Sequence, residues 1–571
     1  MDNNLNPTNS IRTKTDLETR INNMDLSEQL NLVLTVPWEQ RFEIITASEK
    51  AKEIVANMPV EELFWTIKAT GIEDSAIILG LTTPEQLQFI FDLDWWHKDE
   101  LRVEKIVAWF IVMFELCEGN LKPWLTWILQ RDQWLFPAIL NKFIKVVKRP
   151  DDMDIQEAKD LLPPFTLDNV YYIDFKKKKL APLFMRVIAS ILELDAGIYR
   201  DVLETMLWET PSYNHEIAYK LRCGRIGDFG IPDYYDSLDI YVPLEPNQMH
   251  TMNLEDPVLQ ALPVNYDMPP FVPTLYVSGF PALEEAIGNL AGRPLMERIV
   301  REATGVANKI LMADRVDLDD PKQLKGALKK AFSMINLGLQ HLSLLMNKKP
   351  YEILMTHYLE EIARISSGLL LPIGMEARNI LSKDSFKALP HHLKPVVEEA
   401  AQKPSMLFIN GLSSFVTTLS DLETLKGLMA EVAAWNKILN FLVPSPNEWP
   451  KAIEWKQTNM LAPEELAADS GLATAVANLL LKAKFQIEPL DKNALEELGE
   501  RLKSSTEEEI RTFLQDVLAP VCSKDKTGLD CKELEAIIIP RTMEILGEAM
   551  SNKEGSGPEP RYIKNLLVYV E

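Results

Sequence analysis

Glycine is scarce in this sequence. Its 23 glycines among 571 residues amount to roughly 4%, against a usual ~7%, which disfavours folds built on glycine-rich nucleotide loops or many tight β turns. No Gly-x-x-x-x-Gly-Lys-Ser/Thr, Gly-x-Gly-x-x-Gly, His-Glu-x-x-His or Gly-x-Ser-x-Gly occurs, so the common signatures of nucleotide, metalloprotease and hydrolase chemistry are missing. Cysteine is equally sparse. Cys117, Cys223, Cys522 and Cys531 show no Cys-x-x-Cys spacing, which argues against a structural zinc site and fits a reducing compartment. The longest apolar run, Ile106 to Phe114, is far short of the ~20 residues a transmembrane helix needs. It reads as a fully buried helix. The first residues, Met1 to Ser10, are asparagine-rich and carry no signal pattern. Together these absences predict a cytoplasmic protein with no transmembrane segment, no cofactor and no metal.

Positive charge is also in deficit: 60 basic residues face 84 acidic ones, a net charge of −24. Such a balance repels polyanions, so nucleic acid is excluded as an expected partner. The one basic run, Lys176 to Lys179, has no interleaved aromatics and reads as a solvated turn.

What is present is core material and helix punctuation. Apolar residues make up 46% of the chain, ample for a packed interior. The phrase Met58-Pro59-Val60-Glu61-Glu62-Leu63 returns as Thr83-Pro84-Glu85-Gln86-Leu87 and again as Ala462-Pro463-Glu464-Glu465-Leu466. Proline at the first helical position wastes no hydrogen bond, and the glutamates that follow face the positive end of the helix dipole. Pro59 and Pro84 stand 25 residues apart, room for a pair of short helices and the layout of a stacked helical repeat.

Along the chain, residues 1–35 are weakly patterned and predict a mobile arm. Residues 36–242 predict a superhelical, solenoid-like domain of short helices, with at most a small β element near 165–175, where Val170-Tyr171-Tyr172-Ile173 breaks the helical period. Eight prolines between Pro243 and Pro281 forbid regular structure and mark a connection. Residues 282–550 predict a bundle of longer helices. One is capped by Asp320-Pro321, and another runs from Pro350 through Leu354, Tyr358 and Ile362. Residues 551–571 form a tail. The fold class is therefore all-α. Half of the 12 tryptophans lie between Trp95 and Trp134, expected to be core, with a partner-binding groove as the alternative.

Candidate site residues are few. Arg222 and Arg225 sit near a predicted helix end with Gly224, Gly227, Asp228 and Asp233 close by. The guanidinium forks suit a carboxylate or phosphate, whereas a structural reading ends the helix at Gly224 or Gly227 and pairs the arginines with the two aspartates. His357 and Glu361 fall four apart on one predicted helix, with Arg364 on the same face, placed to hold a metal or shuttle a proton, or to form a solvated or interhelical salt-bridge face. Asn308 sits beside a core stripe and predicts an interhelical hydrogen bond.

At Trp38-Glu39-Gln40-Arg41-Phe42, Phe64-Trp65, Thr83 to Phe89, Asp92-Leu93-Asp94-Trp95-Trp96 and Leu162-Pro163-Pro164-Phe165-Thr166-Leu167-Asp168, the chain resembles an uncharacterised family of bacterial proteins with no assigned function. The resemblance implies a cytoplasmic bacterial protein and carries over no catalytic residues. Pro59 to Asp94 is also similar to the cytosolic helical superhelix of MgtE-type magnesium transporters, which supports the stacked-helix reading alone. The function favoured by elimination is a protein-interaction scaffold or adaptor with an unidentified protein partner, and not an enzyme. The alternative is a ligand-binding protein or enzyme with a pocket between the halves, using Arg222, Arg225, Asp228, Asp233, His357 and Glu361. A membrane-associated regulator is the weaker third reading.

Overall fold

Proline and capping residues start the helices at the first two phrases, whereas at the third Pro463 and Glu464 lie outside the described residues and the helix begins only at Ala468. In the computed structural model, Thr83 caps the helix Pro84–Asp94 in a reciprocal box with Gln86, and Pro59 immediately precedes the helix Val60–Thr70. Asp320 caps Pro321–Met346 by accepting a bond from the Lys322 amide at 2.8 Å. The structure describes residues 14–115, 118–252, 279–290, 295–317, 320–442, 453–460, 462, 465–519, 531–550 and 559–570. Most of the described chain is helical, with only short strands in small sheets.

The described residues form two compact units that do not follow linear order. The first holds the chain through Asp239 together with Glu297–Ala331. The second holds Ile240–Leu254, Val277–Met296 and Phe332–Glu571, so the boundary falls inside the helix Pro321–Met346.

In the first unit alternate helices stack. Lys14–Asn22 packs on Trp38–Ala47, that helix on Val60–Thr70, and Val60–Thr70 on Pro84–Asp94. The expected arm is thus two packed helices from Lys14 onward, with Ile21 and Val33 fully buried and an Asp25–Glu28 capping box. Residues 1–13 lie outside the described residues. Polar side chains join the layers: the Gln86 amide donates to the carbonyls of Val55 at 2.7 Å and Met58 at 3.1 Å, and Arg41 pairs with buried Glu62. An unpaired carboxylate at Glu62 would be costly, so this pair also fixes which helix faces which.

Trp95, Trp96, Trp109 and Trp124 are core residues. Trp95 stacks on Phe91 at 4.2 Å between centroids, and Trp109 and Trp124 meet Phe91 edge-on at 5.0 and 4.9 Å, the geometries the ring quadrupole favours. The helix Val103–Glu115 carries the long apolar run, yet Ile111 is 40% exposed, so the burial is not complete.

The expected β element is larger than the 165–175 stretch. Tyr171–Phe175 pairs with Phe165–Thr166 on one side and with Ile144–Lys148 on the other, in register Ile144 to Phe175. Two further hairpins, Trp96–His97 with Glu100–Leu101 and Met406–Ile409 with Leu412–Phe415, complete the described strands.

The second unit packs longer helices around Leu370, Leu425, Trp435, Leu472 and Leu498. Gly338 is placed where a Cβ would fall 2.1 Å from the Ile362 carbonyl oxygen, so the helices Pro321–Met346 and Leu359–Leu381 meet backbone to backbone. Asn336 caps Pro281–Leu290 from another helix, accepting from the amides of Ala282 and Leu283. Residues Leu566, Leu567 and Val568 are fully buried, with the Tyr569 amide donating to Leu490 and the Asn459 amide to Val568. That tail segment is an integral part of the unit, joined to it by isolated bridges at Val568 and Tyr569. Of the proline-rich stretch, residues 253–278 lie outside the described residues, while Val242 and Ile240 accept bonds from Arg364 and Ser367 of Leu359–Leu381.

Candidate functional site

Two aspartates close the largely buried helix Pro84–Asp94, and both are buried: Asp92 is 1% and Asp94 3% exposed. Buried carboxylates require partners, and helix Pro211–Gly227 supplies them for Asp92. Arg225 grips it with both faces of its fork, Nε to Oδ2 at 2.7 Å and Nη2 to Oδ1 at 2.8 Å, and reaches buried Asp132 with Nη1 at 2.7 Å. Burial pulls the Arg225 pKa down, but the bonds and charge of Asp92 and Asp132 outweigh it and hold the guanidinium above its ordinary range. Asp94 is paired with Lys68 and accepts from the Trp109 indole. Arg225 is therefore a clamp between segments.

Arg222, one turn earlier, is different. It is 2% exposed, and its Nε donates to the Asp92 carbonyl at 2.6 Å. Its guanidinium lies over the rings of Trp96 at 5.6 Å and Tyr219 at 5.9 Å. Its Nη1 has no hydrogen-bond partner, and neither does the indole Nε1 of Trp96. Burial lowers the Arg222 pKa, with the charge of Asp92 opposing. A buried guanidinium donor with no acceptor is costly in any protein that has no use for it.

Arg222 and Trp96 line a cavity of about 390 Å³ whose rim also holds Lys98, Arg102, Arg315, Tyr234 and His97. All of its lining residues belong to the first unit. Four cations face two carboxylates, of which Asp94 is paired with Lys68 and Asp317 meets Arg102 at 3.9 Å. In a chain of net charge −24 this is a concentrated positive site. His97 registers the field: burial lowers its pKa, and Arg102, Lys98 and Arg315 lower it further, against Asp317. Its proton resonances are expected to titrate below the ordinary 6.5 in the free protein. Adding inorganic phosphate raises that midpoint if the anion sits among these cations; a fixed midpoint in an NMR titration would place the anion elsewhere.

Backbone strain marks the same place. Six described non-glycine residues have positive φ, and three are asparagines, which tolerate it. Of the other three, Lys98 (φ 58°) and Arg315 (φ 55°) both line this cavity. Lys98 stands in the two-residue turn of the hairpin Trp96–Leu101. Arg315 occupies the position after helix Leu295–Ala313 that glycine normally takes, with Val316 N donating to Leu311 O and Arg315 N to Met312 O. Each conformation costs of order 1 kcal/mol. Lys98→Gly is accordingly expected to melt at an equal or higher temperature, by up to about 1 kcal/mol in stability, while binding phosphate more weakly in calorimetry.

The structure separates the residues read from sequence. Arg222 and Arg225 lie together on helix Pro211–Gly227, paired with Asp92 and Asp132 instead of Asp228 and Asp233. Asp228 is the exposed C-cap of that helix, and Asp233 caps Tyr234–Ser237 by accepting from Asp236. Neither Gly224 nor Gly227 adopts the left-handed conformation; Gly230 does, at φ 70°. The Asn308 amide does not make the expected interhelical bond but donates to the Gly230 carbonyl, in the turn after helix Pro211–Gly227, at 3.2 Å. His357 and Glu361 belong to the second unit and not to one helix. The chain breaks at His357, which caps Pro350–Thr356, and Glu361 begins Leu359–Leu381, where it pairs with His250 at 2.5 Å. Among the described residues no three His, Cys, Asp or Glu side chains converge to hold a metal ion. Cys223 and Cys531 are free thiols; Cys117 and Cys522 lie outside the described residues.

The model of DUF6178, a family of unknown function, matches residues 18–569. The chain belongs to that family. No curated protein and no solved structure matches it. The DUF6178 match thus spans both units, including every residue of the cationic cavity. No helix among the described residues is long and apolar enough to cross a membrane.

Proposed function

We propose that the first unit binds a small dianionic ligand of the phosphate class in the cavity beside Arg222. The observation that carries this reading is the convergence of Lys98, Arg102, Arg222 and Arg315 on one cavity of ligand size. With Asp94 engaged by Lys68, four cations face the single remaining carboxylate of Asp317, an excess that favours a dianion over a monocarboxylate. Guanidinium forks match phosphate oxygens in geometry as well as charge. The test is calorimetry and thermal melting of the full chain with inorganic phosphate, against sodium chloride at equal ionic strength. Saturable stabilisation by phosphate supports the reading, and equal responses to the two salts overturn it.

The scaffold reading keeps one specific support, the exposure of large apolar side chains such as Trp208 (79%) and Leu344 (75%). Native mass spectrometry of protein purified gently from its own cells separates the two. A discrete added mass of small-molecule size supports the ligand site, and a co-purifying protein at fixed ratio supports the scaffold.

A further inference from the structure

A second, smaller recess of about 30 Å³ shares Leu93, Leu311 and Met312 with the cationic cavity, so the two adjoin. Half of its remaining lining residues are aromatic. Phe64 meets Trp65 edge-on at 5.0 Å and Phe89 at 6.5 Å, which fixes the rings against one another. Two polar residues line it, Glu61 and Asn308, and the Asn308 amide is already committed to the Gly230 carbonyl. Burial lifts the Glu61 carboxyl above its ordinary range. A carboxyl at this end disfavours a bound anion, whereas Arg222 attracts one at the other. The paired spaces are therefore polarised, with the cations at one end and a mostly apolar recess at the other.

Resting on the anion-binding reading above, we infer that the ligand is an organic phosphate or phosphonate with a short unbranched apolar group. Its charged head lies at Arg222 and its chain enters the recess between Phe64, Trp65 and Phe89. The size of the recess sets the length. A water fills about 10–15 Å³ of such space, so roughly two or three carbons fit beyond the shared residues.

The experiment is calorimetry on the full wild-type chain with inorganic phosphate and methyl-, ethyl-, propyl-, butyl- and hexylphosphonate, at a pH where all are dianions. Affinity is expected to rise about fourfold per added carbon up to propyl, then to level or fall. Met312→Ala, which widens the junction, moves the plateau to longer chains, with folding checked by its melt. If inorganic phosphate binds but chain length changes nothing, this inference is overturned and the anion site stands. An undiminished rise through hexyl, or a plateau unmoved by Met312→Ala, also overturns it. If no member binds, both readings fall.

Discussion

Arg225→Met is expected to destabilise the first unit by about 3–5 kcal/mol, because it leaves two buried carboxylates, Asp92 and Asp132, without their shared cation. The loss is best read locally. With two compact units, one global unfolding curve does not isolate the effect. Hydrogen exchange of Pro84–Asp94 and Pro211–Gly227 should accelerate together, while the second unit keeps its protection. Adding Asp92→Asn and Asp132→Asn to Arg225→Met should recover most of the stability, since the penalty comes from the stranded charges. Failure of the triple variant to recover would mean that Arg225 acts mainly through packing.

Arg222→Met separates binding from folding. Removing one partner of a buried, hydrogen-bonded charge pair costs roughly 2–5 kcal/mol in affinity, a loss of about thirtyfold to several thousandfold for phosphate. Stability changes less, since two effects oppose. The Asp92 carbonyl loses its donor, worth about 1–3 kcal/mol, and the protein no longer buries a guanidinium nitrogen without an acceptor. Arg222→Lys keeps the charge without the fork and should bind at an intermediate affinity. If Arg222→Met binds phosphate as the wild type does, the cavity is not the site.

Sequence logic reached the helices more readily than the cavity, for physical reasons that particular residues show. Thr83-Pro84 and Asp320-Pro321 are local devices, in which a cap and a fixed φ act within one turn, so they are readable without knowing the fold. The strand Ile144–Lys148 was hidden because helix Leu135–Phe143 runs straight into it and Val146 continues the helical spacing. Its partner, Tyr171–Phe175, decides the matter from outside the window. The hairpin at Met406–Phe415 did carry a local signal, the Asn410-Gly411 pair at φ 52° and 79°. His357 stops a helix that spacing alone would continue.

Of the cavity, Arg222 was legible as a cation near a helix end, but its company was not. Lys98 and Arg102 belong to one hairpin far from both Arg222 and Arg315 in the chain, and each alone is an ordinary surface cation. The readable clue was upstream: Asp92 and Asp94 directly after Phe89-Ile90-Phe91 announce carboxylates in a core, and a core carboxylate implies a cation brought to it from elsewhere.

The interleaving of the two units orders events during synthesis. As the chain leaves the ribosome, the first unit cannot close until Glu297–Ala331 has emerged, although Ile240–Leu254 of the second unit is already outside. Arg315 completes the rim of the cavity only then. The second unit waits longer, because Leu566, Leu567 and Val568 are buried in it and the backbones of Leu490 and Asn459 hydrogen-bond to this segment. A nascent chain stalled short of Leu566 would therefore expose the apolar surface around Leu490 and Leu498, a demand on chaperones that finished chains do not make.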